Sequence, residues 1–291
     1  MVRYQPPAPL DSYVKWLWWS ERDKRQLDYE HMLPSASAQL IFALHDEPLT
    51  WRKNLSEETF EVWRRGVVHG PQCSYFVSGP KPCGAVAGVS FHPGMASALL
   101  GVPLLELTDL HVPIDALWGA RGRSMHQRLV DLHEPMAIFK VIEQELLSRL
   151  KRPLLIHPAI AHALVDPVQG WGFTRISTVQ QQAGYSPKHF TALFRGAVGV
   201  TPKQYDRVKR FGALVQALAG DHCASLAELA ASLGYSDQSH LTRDFREFAG
   251  VTPTRYRPRA PDSALHHVAT TRPSFASGGG NNSSIRAAGT G

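Results

Sequence analysis

The sequence predicts an α+β chain: a β-rich N-terminal domain, a helical linker, and an all-α C-terminal domain with two helix-turn-helix units. Three observations predict it. Residues 1–118 hold six of the seven tryptophans and many short apolar stretches broken by Gly and Pro. From about Ser124 the apolar residues recur at three- and four-residue steps. Between residues 170 and 258 one pattern occurs twice, about fifty residues apart.

In the first part, Ala38–Leu44, Phe60–Val68, Ser74–Val77 and Ala85–Phe91 read as strands. Gly70-Pro71, Gly79-Pro80, Pro82, Gly84 and Pro93-Gly94 punctuate them. Strands this short and close imply a small sandwich or barrel, and no hairpin dipeptide fixes their order. Arg123–Leu132 reads as a short helix. Pro135 suits the first position of the next one. Its Met136, Phe139, Ile142 or Glu143, Leu146 and Leu150 form one face, which suits either the β domain or a second copy of itself. The boundaries are 1–118 for the β-rich domain, 119–157 for a linker or dimerisation region and 158–258 for the helical domain. The Ala-, Ser-, Gly- and Asn-rich residues 259–291 are expected to form a disordered tail.

With 291 residues and 43% hydrophobic content, the chain can bury a sizeable core. Its net charge of +6 is unevenly placed. Gly170–Arg259 carries twelve Lys/Arg against six Asp/Glu, and the remainder carries nineteen of each. A neutral body with a basic C-terminal module suits a polyanion. Cys73, Cys83 and Cys223 form no CxxC pair, so reduced thiols are expected. Met1–Leu10 lacks the apolar stretch of a signal peptide, and no apolar run reaches bilayer length. A soluble cytoplasmic protein without a membrane partner is the expectation.

The repeat carries the functional reading. Gly184–Tyr205 matches Gly234–Tyr256 at twelve positions, with one extra residue in the second copy. Among them are Tyr185/Tyr235, His189/His240, Phe194/Phe245, Arg195/Arg246 and Thr201-Pro202/Thr252-Pro253. Each copy reads as helix, tight turn, helix. In the second, Leu226, Leu229, Ala230 and Leu233 share one buried face, and Gly234 ends the helix where positive φ is needed. Ser236 or Asp237 caps the next helix, which buries Leu241, Phe245 and Phe248. In the first, Ile176, Val179 and Ala183 face inward, Ser186 caps, and Phe190, Leu193, Phe194 and Ala197 are buried. Thr201-Pro202-Lys203-Gln204 is a capping box opening a helix through Tyr205, Val208, Phe211 and Val215. Thr252-Pro253 caps a further turn.

The opposite faces of the two second helices show Lys188, Thr191, Ala192 and Arg195 in one copy, and Gln238, Ser239, Thr242, Arg243 and Arg246 in the other. They are polar or small, mostly cationic, and carry no carboxylate. Such a helix fits the major groove: Gln pairs with adenine, Arg with guanine, and the remaining cations with phosphates.

At these residues the chain resembles the AraC/XylS family of bacterial regulators. Ala227–Arg246 is similar to that family's second unit, and Gly250-Val251-Thr252-Pro253-Thr254-Arg255-Tyr256-Arg257 to its usual close. The resemblance covers about 158–258. It implies two recognition helices entering successive major-groove segments of double-stranded DNA, about 34 Å apart. The first unit departs from the pattern, with Gln180 where the second has Ala230 and Ala192 where it has Arg243. It therefore reads as a backbone anchor beside a base-reading second unit. More weakly, Leu33-Pro34, Gln39-Leu40-Ile41-Phe42, Gly88–Gly94, Leu99–Pro103 and Glu106–Asp109 resemble a sensor domain of that family. This implies a partly cupin-like fold with an unassigned ligand. The implied function is sequence-specific regulation of transcription, responsive to a small-molecule effector. RNA polymerase and a second copy of the chain are further expected partners.

An enzyme is the contrasting class. His31, His45, His69, His92 and His111 lie in the β domain without the His-x-His ligand pair of a metal-bearing cupin, and His157/His162 and His266-His267 fall outside it. No metal, cofactor or catalytic residue is expected. The sequence shows no phosphate loop or nucleophile elbow. A DNA-repair methyltransferase would need a zinc-held cysteine cluster, which three scattered cysteines do not form. A basic module binding an acidic protein is the remaining alternative. Trp16, Trp18, Trp19 and Trp63 suit core packing better than a pocket lining.

Overall fold

The computed structural model describes residues 1–22, 29–54, 57, 59–80, 83–151, 153, 156–164, 176–182, 184–220, 224–257 and 265–268. The strands are β1 (Val2–Tyr4), β2 (Val14–Arg22), β3 (Glu30–Met32), β4 (Gln39–Leu44), β5 (Leu49–Arg52), β6 (Glu61–Trp63), β7 (Gly66–His69), β8 (Phe76–Ser78), β9 (Gly84–Phe91), β10 (His111–Pro113) and β11 (His266–Val268). They form two antiparallel sheets in the orders β1-β2-β9-β4-β7-β10 and β11-β3-β8-β5-β6. The helices are α1 (Ser97–Leu100), α2 (Ile114–Trp118), α3 (Ala120–Val130), α4 (Pro135–Arg149), α5 (Pro158–Leu164), α6 (Ile176–Gln182), α7 (Pro187–Val198), α8 (Pro202–Ala219), α9 (Leu226–Ser232) and α10 (Gln238–Ala249).

The larger sheet has two faces with different partners. Leu17, Leu40, Val68 and Val89 occupy one cross-strand row and share a buried core with Ile138, Phe139, Ile142 and Leu146 of α4. α4 therefore packs on the β domain. Met136, expected on that face, is 47% exposed, and Ile138 takes its place because α4 turns its 138/142 row to the sheet. On the other face, His69 and His111 sit opposite each other in the β7–β10 register. Trp51, Trp63 and Phe76 of the smaller sheet close around them. Trp63 is thus a core residue, and Trp19 packs beside the α4 core.

The expected strand Phe60–Val68 is two strands, one in each sheet. The chain changes sheet at exposed Arg64 and Arg65, where two adjacent cations keep the backbone in solvent. The long strand β2 was not among those expected, because its three indoles mask the alternation that would mark a half-buried strand. α3 begins three residues earlier than the sequence suggests.

The helical domain is built on Phe190, Phe194, Val198, Phe211, Leu214, Leu241, Phe245 and Phe248, and its core also takes in Leu33 and Ala36 from the N-terminal domain. Leu193 and Ala197 lie at its edge, half-buried rather than inside. Ala183 and Cys223 lie outside the described residues, as does most of 259–291. Within that expected tail, His266–Val268 pairs with β3, and the Leu33 amide donates to the Leu265 carbonyl at 2.8 Å. Composition averaged over the tail hides this short β-capable segment, which the open edge of β3 accepts.

Candidate nucleic-acid interface

Local chemistry fixes the second unit. Ser225 and Glu228 form a capping box that starts α9. Leu229, Ala230 and Leu233 are buried, and Gly234 turns the chain at φ +72°. Asp237 caps α10, its carboxylate accepting from the His240 amide at 2.7 Å, while the Ser236 hydroxyl lies 2.8 Å from His240 Nδ1. Gly250 ends the helix. Thr252 precedes a short 3-10 turn, but its hydroxyl lies against Thr254 (3.1 Å) and provides no cap.

This arrangement leaves Gln238, Ser239, Arg243 and Arg246 exposed and Thr242 half-buried. All five line an open cleft of about 680 Å³, together with Glu247 and Thr252. Neither Arg243 nor Arg246 has an ion-pair partner among the described residues. Glu247, a carboxylate at the cleft edge, is neutralised by Arg207 of α8 through two hydrogen bonds of 3.1 and 2.7 Å. The face presented to solvent is therefore net cationic.

The first unit repeats the frame with different chemistry on it. Ser186 caps α7 by accepting from the His189 amide, and Thr201 with Gln204 completes the expected capping box of α8. Lys188, Ala192 and Arg195 are exposed and Thr191 is half-buried. In each unit the matched Tyr and His rings touch, Tyr185 with His189 at 5.1 Å and Tyr235 with His240 at 5.3 Å. The duplication in sequence is thus a duplication of packing. Gln180 is half-buried where its counterpart Ala230 is 1% exposed.

One group of positioning residues lay outside the sequence-based expectation. Asp244 is 5% exposed in the middle of α10, facing α8. Arg207 donates to it at 2.9 Å, and its guanidinium lies 4.8 Å from the Phe248 ring. Hydrogen bonding to Glu247 and then Asp244 raises the Arg207 pKa further above its ordinary value. Burial, then the Asp244 charge, pushes the Tyr235 hydroxyl up. The spacing Leu241, Asp244, Phe248 was the available signal, since it places Asp244 on the buried stripe. Elsewhere, Cys73 is half-buried and Cys83 exposed, and burial pushes the Cys73 thiol up to about 12. No group of three or more His, Cys, Asp or Glu among the described residues could hold a metal ion.

Residues 179–259 match the family described as a helix-turn-helix domain, and residues 2–113 match a domain of unknown function. The probable transcriptional regulator LumQ of Photobacterium leiognathi is 33% identical over 82 residues, 28% of this chain and 33% of that protein. An HTH-type transcriptional regulator of Mycobacterium tuberculosis is 34% identical over 86 residues, 30% of this chain and 33% of that one. The multiple antibiotic resistance protein MarA of Escherichia coli is 29% identical over 82 residues, 28% and 64% of the two chains. The match thus spans about a third of the length of the first two relatives. Among solved structures, apo ToxT K231A of Vibrio cholerae aligns at TM-score 0.42 and 10% identity over 82% of this chain and 95% of that chain.

Proposed function

We propose, from the premise that residues 179–259 form a helix-turn-helix domain of the AraC family, that this chain is a sequence-specific DNA-binding regulator of transcription. The carrying observation is the α10 face, where Gln238, Ser239, Thr242, Arg243 and Arg246 line one open cleft. Gln238 and Ser239, at the N-terminal end of α10, read base edges with Thr242 and Arg243, and Arg246 sits on phosphate. Lys188, Thr191, Ala192 and Arg195 of α7 anchor the first unit to the adjacent groove segment with less base readout. The N-terminal domain binds a small-molecule effector. Pairing of two copies and contact with RNA polymerase complete the reading.

The reading is of a regulator, not an enzyme. Methyl transfer to a cysteine needs a thiolate, and a Cys73 pKa near 12 opposes one. No helix among the described residues is long and apolar enough to cross a membrane.

Titration of the full chain with its selected duplex and with random duplex, at two salt concentrations, tests this. Phosphate contacts give a log–log salt slope of about −0.9 per phosphate neutralised. The selected duplex is expected to bind at least about a thousandfold more tightly than random sequence. A flat salt response would instead favour an acidic protein partner.

A further inference from the structure

Arg52 ends β5 and is 3% exposed. Strand alternation separates it from Trp51, which joins the imidazole cluster between the sheets. Arg52 lies on the opposite face of the small sheet, in one cross-strand row with Val77 and His31. Its Nη1 donates to the Glu57 carbonyl. Its Nε and Nη2 are buried and have no hydrogen-bond partner among the described residues. The guanidinium carbon lies 4.8 Å from the Phe60 ring and 5.5 Å from the Tyr29 ring, and those two rings stack at 5.7 Å. Gly79 permits this closure, since a Cβ there would meet Phe60 at 3.1 Å and Thr50 Oγ1 at 2.2 Å.

A guanidinium out of water requires a counter-charge, and ring contacts return only part of the desolvation cost. Among the described residues, the nearby carboxylates make their contacts elsewhere. Glu57 accepts from the Lys53 amide at 2.9 Å, and Glu61 pairs with Trp51 in the strand register, on the face opposite Arg52. The two idle nitrogens are the side-on edge of the guanidinium, which presents two parallel N–H donors to a planar oxyanion. Phe60 and Tyr29, which flank the guanidinium, are only half-buried, and ligand entry requires one of these rings to turn aside.

We propose that Arg52 is the anion-reading residue of a ligand site on the outer face of the small sheet, taking a small organic oxyanion, typically a carboxylate, whose apolar part lies on Phe60 and Tyr29. This deepens the effector reading and rests on it only for its consequence at DNA. The same sheet face carries His31, roughly 10 Å away across two strand spacings, and His31 Nδ1 lies 2.8 Å from the Ala249 carbonyl at the end of α10. A ligand on Arg52 thus sits on the surface that touches the second recognition helix.

The test is thermal unfolding of the full chain in sodium acetate, sodium benzoate or sodium phosphate, each against sodium chloride at equal ionic strength. At least one of the three is expected to raise the midpoint by about 5 °C near saturation. Arg52→Met should abolish the shift. Arg52→Lys, which keeps the charge and loses the paired donors, should weaken binding at least tenfold, and it carries the decision if Arg52→Met fails to fold. A phosphate response larger than both carboxylate responses supports the site and assigns it a phosphorylated ligand. No shift in the wild type with any of the three, or equal shifts in all three proteins, overturns the proposal. Duplex binding by the same preparations separates the two readings. Binding without an anion shift rejects only this site, and an anion shift without duplex binding rejects only the DNA reading.

Discussion

Arg207 reaches from α8 to α10 and donates to Asp244 and Glu247 at once. Asp244 is buried, so its charge is tolerated only while that donor is present. The first unit shows the alternative, because Leu193 stands at the equivalent position and packs on the apolar core. Arg207→Met should therefore destabilise the chain by about 2–3 kcal/mol, discounted for the partial exposure of Arg207. Asp244→Leu added to it should recover most of that loss, as measured by chemical unfolding of the four members of the cycle. A double variant no more stable than Arg207→Met would refute the account. Base readout is also a residue-scale matter. Arg243 is exposed at the cleft, and its counterpart is Ala192. Arg243→Ala should cost about 1–3 kcal/mol against the preferred duplex and relax the preference at one base pair. Lys188→Ala should weaken all duplexes alike. Unchanged base preference for Arg243→Ala in a binding-site selection would defeat this assignment.

At the scale of elements, β7 and β10 bring His69 and His111 within 3.1 Å, Nδ1 to Nδ1. One ring donates and the other accepts, so the two cannot both carry a proton on Nδ1, and burial favours the neutral form of each. Burial lowers His69 from 6.5 to about 3, and burial together with the His69 ring lowers His111 to about 2. Well above pH 6.5 neither the folded nor the unfolded state holds these protons, and stability is independent of them. Below 6.5 the unfolded chain takes up protons that the folded chain refuses, so stability falls as pH drops towards 3. At pH 5 the expected loss is about 2 kcal/mol per ring. His31, His45, His92 and His126 are lowered by burial too and act in the same direction. Replacing both rings, as His69→Phe with His111→Phe, should therefore flatten the pH 5–7.5 profile without levelling it. A profile parallel to wild type would exclude the pair as its main source. The pair was not legible in sequence, because His69 and His111 are 42 residues apart and meet only through strand register. The helical units were legible because their signals are local: caps, turns and the 3.6-residue stripe lie within one repeat. Asp244 was local as well, and a stripe-based reading that counted polar residues would have found it.

At the scale of the whole molecule, the N-terminal domain touches the C-terminal ends of both recognition helices, at neighbouring positions of the repeat. Thr108 Oγ1 lies 2.9 Å from the Gly199 carbonyl and 3.2 Å from that of Leu104. His31 Nδ1 lies 2.8 Å from the Ala249 carbonyl, and the His31 ring stacks on Tyr75 at 4.7 Å. Because a carbonyl only accepts, His31 carries its proton on Nδ1. The two helix-ending glycines are close to the same contacts. A Cβ on Gly199 (φ +91°) would meet the Leu104 oxygen at 2.9 Å, and one on Gly250 (φ +71°) would meet the Tyr75 ring at 2.7 Å. With Leu33 and Ala36 in the helical core, these contacts are expected to make the two domains unfold as one unit. Thr108→Val and His31→Phe each remove one hydrogen bond while keeping volume or ring stacking, and each should cost about 1 kcal/mol. The two contacts lie on different helices and share no partner, so the costs should add. Calorimetry of the full chain is expected to give one transition in the wild type, at a midpoint lowered in steps by the single and double substitutions. Two wild-type transitions, only one of which moves, would show that the domains unfold separately and that neither cap is held from across the boundary.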